Sequence, residues 1–184
     1  MSPHRRPLLS LLALLALFLL AVGVSACGYE SDTKQVSEGE SVELGELKYI
    51  ATFSRYLNPA DTEDEAYLVG QEEPPKGESY FGVFLEVQNE SDEPQTLPST
   101  LTITDVDENE YEVLDSESIF ALEFGGEVES EEQIPRLDTP AQQGPIEGAL
   151  TLFLLPEEAS ENRPLTLHIP GGAGEEGAEV ELDL

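Results

Sequence analysis

The residues of this chain that could do covalent, acid–base or metal chemistry are few and scattered. It has one cysteine, Cys27, and two histidines, His4 and His168. Zinc sites need several His or Cys ligands together, and a Ser-His-Asp triad would have to use His168 without any G-x-S-x-G elbow to present the serine. His168 sits in Leu165-Thr166-Leu167-His168-Ile169, where alternation puts it opposite the apolar Leu165, Leu167 and Ile169, as expected of a polar residue on an outer strand face. Ser31-Asp32-Thr33-Lys34 fits S-x-x-K, in which a lysine amine activates a serine nucleophile. That motif needs a helix inside a large domain and K-T-G or S-D-N elsewhere, none of which occurs here. Asp105-Val106-Asp107-Glu108-Asn109 places oxygen ligands at alternate positions, as a calcium loop opens. The helical-hand version needs glycine sixth and glutamate twelfth, and those places hold Glu110 and Ser116. A looser calcium site at the end of a sandwich would use Asp105, Asp107, Asn109 and Asp115; a solvated hairpin tip accounts for the same residues without a cation. Asp61, Glu63, Asp64 and Glu65 form a second acidic loop of the same kind. Two carboxylates could also hydrolyse a glycoside, but among 39 acidic residues a suitably spaced pair carries no information. The sequence contains no positive sign of an enzyme.

Cys27 has a more specific context. The chain opens with Arg5-Arg6, continues in an apolar run from Leu8 to Val24 and ends it with Val24-Ser25-Ala26-Cys27. A cationic start, an apolar stretch and small residues at its end make a secretory signal peptide; a spanning helix needs about 20 apolar residues with polar flanks. Val24-Ser25-Ala26-Cys27 resembles the bacterial lipobox, in which the thiol is diacylated and the bond before it is cut. Two acyl chains on one cysteine supply the two hydrophobic signals that stable anchoring requires. The expectation is a signal peptide over 1–26, a lipidated Cys27 and a polar tether over 27–40, and a folded domain over 41–184. Arg5-Arg6 faintly resembles a twin-arginine signal, but the Leu-rich apolar region favours the general secretion route.

Loss of the signal leaves 158 of the 184 residues, enough for one domain. It removes Arg5 and Arg6 and no acid, taking the formal charge from −31 to −33. Such a surface excludes nucleic acid as a partner, because phosphate binding requires cationic neutralisation, and it disfavours contact with anionic headgroups. Self-repulsion of this size opposes compactness, so the fold is expected to gain from salt. With Cys27 lipidated no disulfide can form, and the hydrophobic core alone must hold the fold.

The elements are strands. Val42–Leu44 and Leu47–Phe53 suggest the first two, with Leu47, Tyr49, Ala51 and Phe53 on one face. Residues 55–78 are rich in Pro, Gly and acids and read as a long loop, in which 64–69 forms a short strand or a helical turn; loops of this length are often functional. Tyr80–Gln88 is the clearest strand, with Phe81, Val83, Leu85 and Val87 to one side. Leu101–Thr104 and Tyr111–Leu114 make a hairpin. Ile119–Phe124, Ile146–Leu155, Leu165–Ile169 and the closing residues from Val180 complete the set. Many short alternating strands separated by turns indicate a β-sandwich.

Three segments carry a family resemblance. They are Val83–Asn89 with Ser91-Asp92-Glu93-Pro94, Asp105-Val106-Asp107 with Tyr111, and Pro145-Ile146-Glu147-Gly148 leading into Leu152–Pro156. In this order behind a lipobox they resemble a family of bacterial lipoprotein domains of unknown function, whose immunoglobulin-like fold is shared with the mycobacterial secreted immunoprotective antigen. The resemblance spans about half of the mature chain. It implies an all-β, immunoglobulin-like antiparallel sandwich acting as a non-catalytic module of the cell envelope, and it transfers no functional residues. Where the family often has glycine in the hairpin this chain has Asn109-Glu110, which puts the turn type in question. The expected function is a lipid-anchored binding or scaffolding module outside the cytoplasm, held to the membrane through Cys27 and contacting a protein or envelope partner. The alternative is a lipoprotein that binds calcium or another divalent cation through its acidic loops.

Overall fold

The computed structural model describes residues 33–172 and 176–183. The expected signal peptide, Cys27 and Ser31 lie outside them. The described chain forms two facing sheets. Sheet A has the order β1-β12-β11-β6-β7 and sheet B the order β10-β4-β3-β2, with β9 added to β4; β5 and β8 form a separate two-stranded ribbon. The strands of sheet A are β1 (Lys34–Ser37), β6 (Thr102–Thr104), β7 (Glu110–Glu112), β11 (Leu165–Ile169) and β12 (Ala178–Leu182). Those of sheet B are β2 (Ser41–Leu44), β3 (Leu47–Leu57), β4 (Glu78–Asn89), β9 (Gln133–Ile134) and β10 (Ala149–Pro156). β5 is Gln95–Thr96, β8 is Glu127–Val128, and Pro140–Gln143 is a single helical turn, α1. Neighbouring strands are antiparallel except β1 and β12, which run parallel. This is the antiparallel β-sandwich expected.

Alternation builds the core between the sheets. Phe81, Val83, Leu85 and Val87 of β4 meet Phe153 and Leu155 of β10 and, from the other sheet, Ile103, Leu165, Leu167 and Val180. β4 and β10 are buried on both faces. Their outward residues Tyr80, Phe84, Leu150 and Leu152 join Leu57 in a second cluster, roofed by Tyr67, Leu68, Phe120 and Ala141 from the connecting segments. A strand apolar on both faces is one that both faces cover, so the long loops form a third layer over sheet B. Gly148 shows how tightly that layer packs: at φ 129° it adopts a conformation open to glycine, and a Cβ there would stand 2.9 Å from the Phe84 Cβ.

The structure corrects three expectations and decides between the alternatives of a fourth. The tether was expected to reach residue 40, but Lys34–Ser37 is β1, paired over four residues with Ala178–Glu181. Phe53 was expected beside Leu47, Tyr49 and Ala51, but the β3–β4 register shifts between Ala51 and Phe53. Thr52 is the extra residue, and its hydroxyl donates to the carbonyl of Glu147 (2.7 Å). A bulge exchanges the faces beyond it. Phe53 is therefore 43 % exposed, Tyr56 turns inward against Phe81 with ring centroids 5.0 Å apart, and Arg55 and Leu57 turn outward. Ile119–Phe124 is not a strand. Ser118 Oγ accepts from the amide of Phe120 and donates to the carbonyl of Ala66, and this local bonding competes with a ladder; only Ala121 bridges β10. Finally, residues 64–69 hold a helical turn, with the amide of Leu68 bonded to the carbonyl of Asp64.

Candidate functional site

The β6–β7 hairpin brings Asp105, Asp107 and Asn109 together around one carboxylate. Asp105 is 5 % exposed. It accepts from the amides of Asp107 and Asn109 (both 3.0 Å), from Asn109 Nδ2 (2.9 Å) and from the Tyr111 hydroxyl (3.0 Å). Burial pushes against ionisation of Asp105, but the bonds from Asn109, Tyr111 and Asp107 together outweigh it and hold the carboxyl below its ordinary range. Burial and the bond to Asp105 push the Tyr111 phenol up to about 12. The left-handed position of the turn falls on Glu108 (φ 62°), which is how the hairpin closes without the family's glycine.

Asp115 does not join this group. After β7 the chain leaves sheet A and Leu114 pairs with Leu152 of β10, so Asp115 sits beside the 58–77 segment, where its carbonyl accepts from Gln71 Nε2 (2.8 Å). The hairpin carboxylate is saturated by protein donors, and the fourth expected ligand is on the other sheet. Among the described residues no three His, Cys, Asp or Glu side chains converge to hold a metal ion. Asp105 is thus placed to hold the hairpin. An ionised carboxylate stabilised this way contributes fully above its unfolded pKa and loses that contribution as pH falls through the lower folded value. Asp105→Asn is therefore expected to destabilise the domain by about 2 kcal/mol at pH 7. The deficit should shrink below the ordinary Asp pKa of about 3.9, as urea titrations at the two pH values would read; a deficit constant with pH would sink the assignment.

The second acidic loop is also divided. Asp61, Glu63 and Glu65 point to solvent, whereas Asp64 is 2 % exposed. Its carboxylate forms a two-pronged pair with Arg55, through Nη2 and through Nη1 (3.2 Å), and accepts from the Asn58 amide (2.8 Å). His168 lies on the outer face of sheet A as expected, its Nε2 2.7 Å from Thr104 Oγ1 and its Nδ1 3.8 Å from Glu179. Lys34 belongs to a strand and donates to the carbonyl of Glu43, so it is not held on a helix as S-x-x-K requires.

What sequence reading missed is a cleft of about 220 Å³ beside sheet B. Leu97, Ala121, Ile134, Pro135 and Ala149 line it, with Glu123, Glu127 and Arg136 at its rim. Arg136 is engaged by Glu132 at 3.2 Å. Ile119, on one wall, is 70 % exposed, and Leu137, next to Arg136, is 71 % exposed. Three connections separated by strands build this cleft, and no periodicity links them; the one signal available was the apolar Leu137 between Arg136 and Asp138.

No protein-family model matches the chain, and no curated protein matches it significantly in sequence. Solved structures do match in fold. An uncharacterized β-sandwich protein from Clostridium difficile 630 shares 14 % identity over 84 % of this chain and 97 % of that one, with TM-score 0.51. The yjhA protein from Bacillus subtilis shares 11 % over 80 % of this chain and 99 % of that one, with TM-score 0.53. The matches also include MPT63, a secreted protein from Mycobacterium tuberculosis, at 11 % identity over 81 % of this chain and 97 % of that one, with TM-score 0.48. At these identities the likeness to the first two is one of fold, and the fold is that of a β-sandwich.

Proposed function

We propose that this protein is a lipid-anchored, non-catalytic module on the outer side of the cytoplasmic membrane, which binds or scaffolds another envelope protein. Cys27 carries the lipid and the sandwich carries the contact surface. The observation that carries the binding part is the pair Ile119 and Leu137, both more than two-thirds exposed beside a cleft of mixed apolar and charged lining on a chain of formal charge −31. Large apolar side chains held in water beside a pocket are the form that interface anchors take. The strongly acidic surface around them favours a partner whose complementary face is cationic at its rim.

The test pairs capture with stability. Ile119→Ser/Leu137→Ser should change unfolding free energy by no more than about 0.5 kcal/mol, as surface substitutions do. The same variant should lose the proteins that cross-link to the wild-type lipoprotein in intact envelope. Identical cross-linked species from both proteins would remove the cleft from the binding surface, and no saturable species from either would remove the binding function.

A further inference from the structure

The placement of β1 gives the sandwich a direction. β1 runs parallel to β12, with Lys34 opposite Ala178 and Ser37 opposite Glu181. The chain therefore enters sheet A at the end where β11 finishes with Ile169 and β6 begins with Thr102. The β2–β3 turn lies at the same end, since Leu44, Gly45 and Glu46 line one depression with Pro170 and Gly171. The 58–77 segment lies at the opposite end, because β3 runs from that turn to Leu57, where it pairs with Tyr80. The hairpin tip at 105–109 is there too, beyond the pairing of Thr104 with Thr166.

We infer that the anchored molecule stands with its Lys34 end toward the lipid surface and carries the 58–77 segment and the 105–109 tip on the face turned away. This rests on lipidation of Cys27. Only the six residues Gly28–Thr33 separate Cys27 from β1, and fully extended they span at most about 20 Å. The 11 residues of β3 alone run about 36 Å. Lys34 itself is fixed, its amide bonded to the carbonyl of Gly177 (3.2 Å). The far end can reach the lipid only if the domain lies on its side. Sheet A opposes that: its outer face carries Glu110, Glu112, Glu179 and Glu181, alternating with the buried residues of β12 and the inward Tyr111. Anionic headgroups repel such a face over a Debye length of about 8 Å, and the tether is long enough to hold the domain beyond it. The cleft then lies in the membrane-proximal half, since Glu127 pairs with Thr96 and Ile134 with Val87, near the end of β4.

The single native cysteine makes the test clean, because a lipidated Cys27 leaves an introduced thiol as the only one. Full-length Glu46→Cys, Asp107→Cys and Glu63→Cys would be expressed in a bacterium that processes lipoproteins. Each would be labelled and reconstituted in phosphatidylcholine–phosphatidylglycerol vesicles carrying a headgroup energy acceptor. Transfer from position 46 should exceed that from 107 and 63 several-fold. Equal or reversed efficiencies in protein whose mass shows the acyl chains would overturn the orientation and leave the anchor standing. Protein without acyl mass on Cys27 would overturn the anchor and the orientation with it.

Discussion

Arg55→Met should destabilise the domain by about 3 kcal/mol, the scale on which losing one partner of a buried ion pair is felt. The cost comes from Asp64 more than from the lost attraction. Asp64 is 2 % exposed, its partner 30 %, and without the guanidinium a carboxylate stays buried with only the Asn58 amide to stabilise it. The double variant Arg55→Met/Asp64→Leu should then cost less than Arg55→Met alone, because it removes the stranded charge. Urea unfolding of residues 28–184 would give all three values. Salt separates this pair from a surface one: in 1 M sodium chloride, where the Debye length is about 3 Å, an exposed pair loses its contribution and this one should keep most of it. A deficit under about 0.5 kcal/mol, or one abolished by salt, would mean that Tyr67 and Leu68 hold the 58–77 segment by apolar contact alone.

Phe84→Ala should cost about 4 kcal/mol, the range for emptying a buried aromatic site. A comparable loss at Phe153 would be unsurprising, since Phe153 lies between the two sheets of any such sandwich. Phe84 faces the other way. On a two-layer sandwich it would be a surface residue, worth little. Here it is fully buried, edge-on to Tyr67 with ring centroids 5.3 Å apart, and Tyr67 in turn meets Phe120 at 4.9 Å. Its removal takes the floor from under the roofing segments. Amide exchange should therefore quicken in residues 58–77 and 118–122 more than in β11 and β12. A loss below about 1 kcal/mol, or exchange that rises evenly over both sheets, would contradict an outer layer that packs as a core. Because Arg55 and Phe84 both act on the 58–77 segment, their effects should fail to add.

Most of the strands were legible because a half-buried strand writes its environment into a period of two. β11 could be read from the alternation of Leu165, Leu167 and Ile169, and one face of β4 from that of Phe81, Val83, Leu85 and Val87, whereas β10, apolar at five of the six positions 150–155, reads as a run covered on both faces. β1 escaped the same reading. Lys-Gln-Val-Ser has one apolar residue, and its strand state depends on a parallel partner, β12, at the far end of the chain. The third layer escaped because the apolar residues on the second face of β4 and β10 say that something covers them without saying what.

The sequence by itself determined the all-β class, the two-sheet core and the acidic surface, and it supplied the resemblance to a lipobox on which the proposal for Cys27 rests, since each is written in local composition or period. Tertiary structure decided the rest. It placed Thr52 as a bulge, which turned Arg55 from the core toward Asp64. It saturated Asp105 with donors while carrying Asp115 to the other sheet. It assembled the cleft beside Ile119 from three separate connections, and it fixed the end at which the chain enters sheet A at Lys34. Each of these depends on which strand lies beside which and in what register, and that is set by contacts between residues far apart in the chain, where no local pattern reaches.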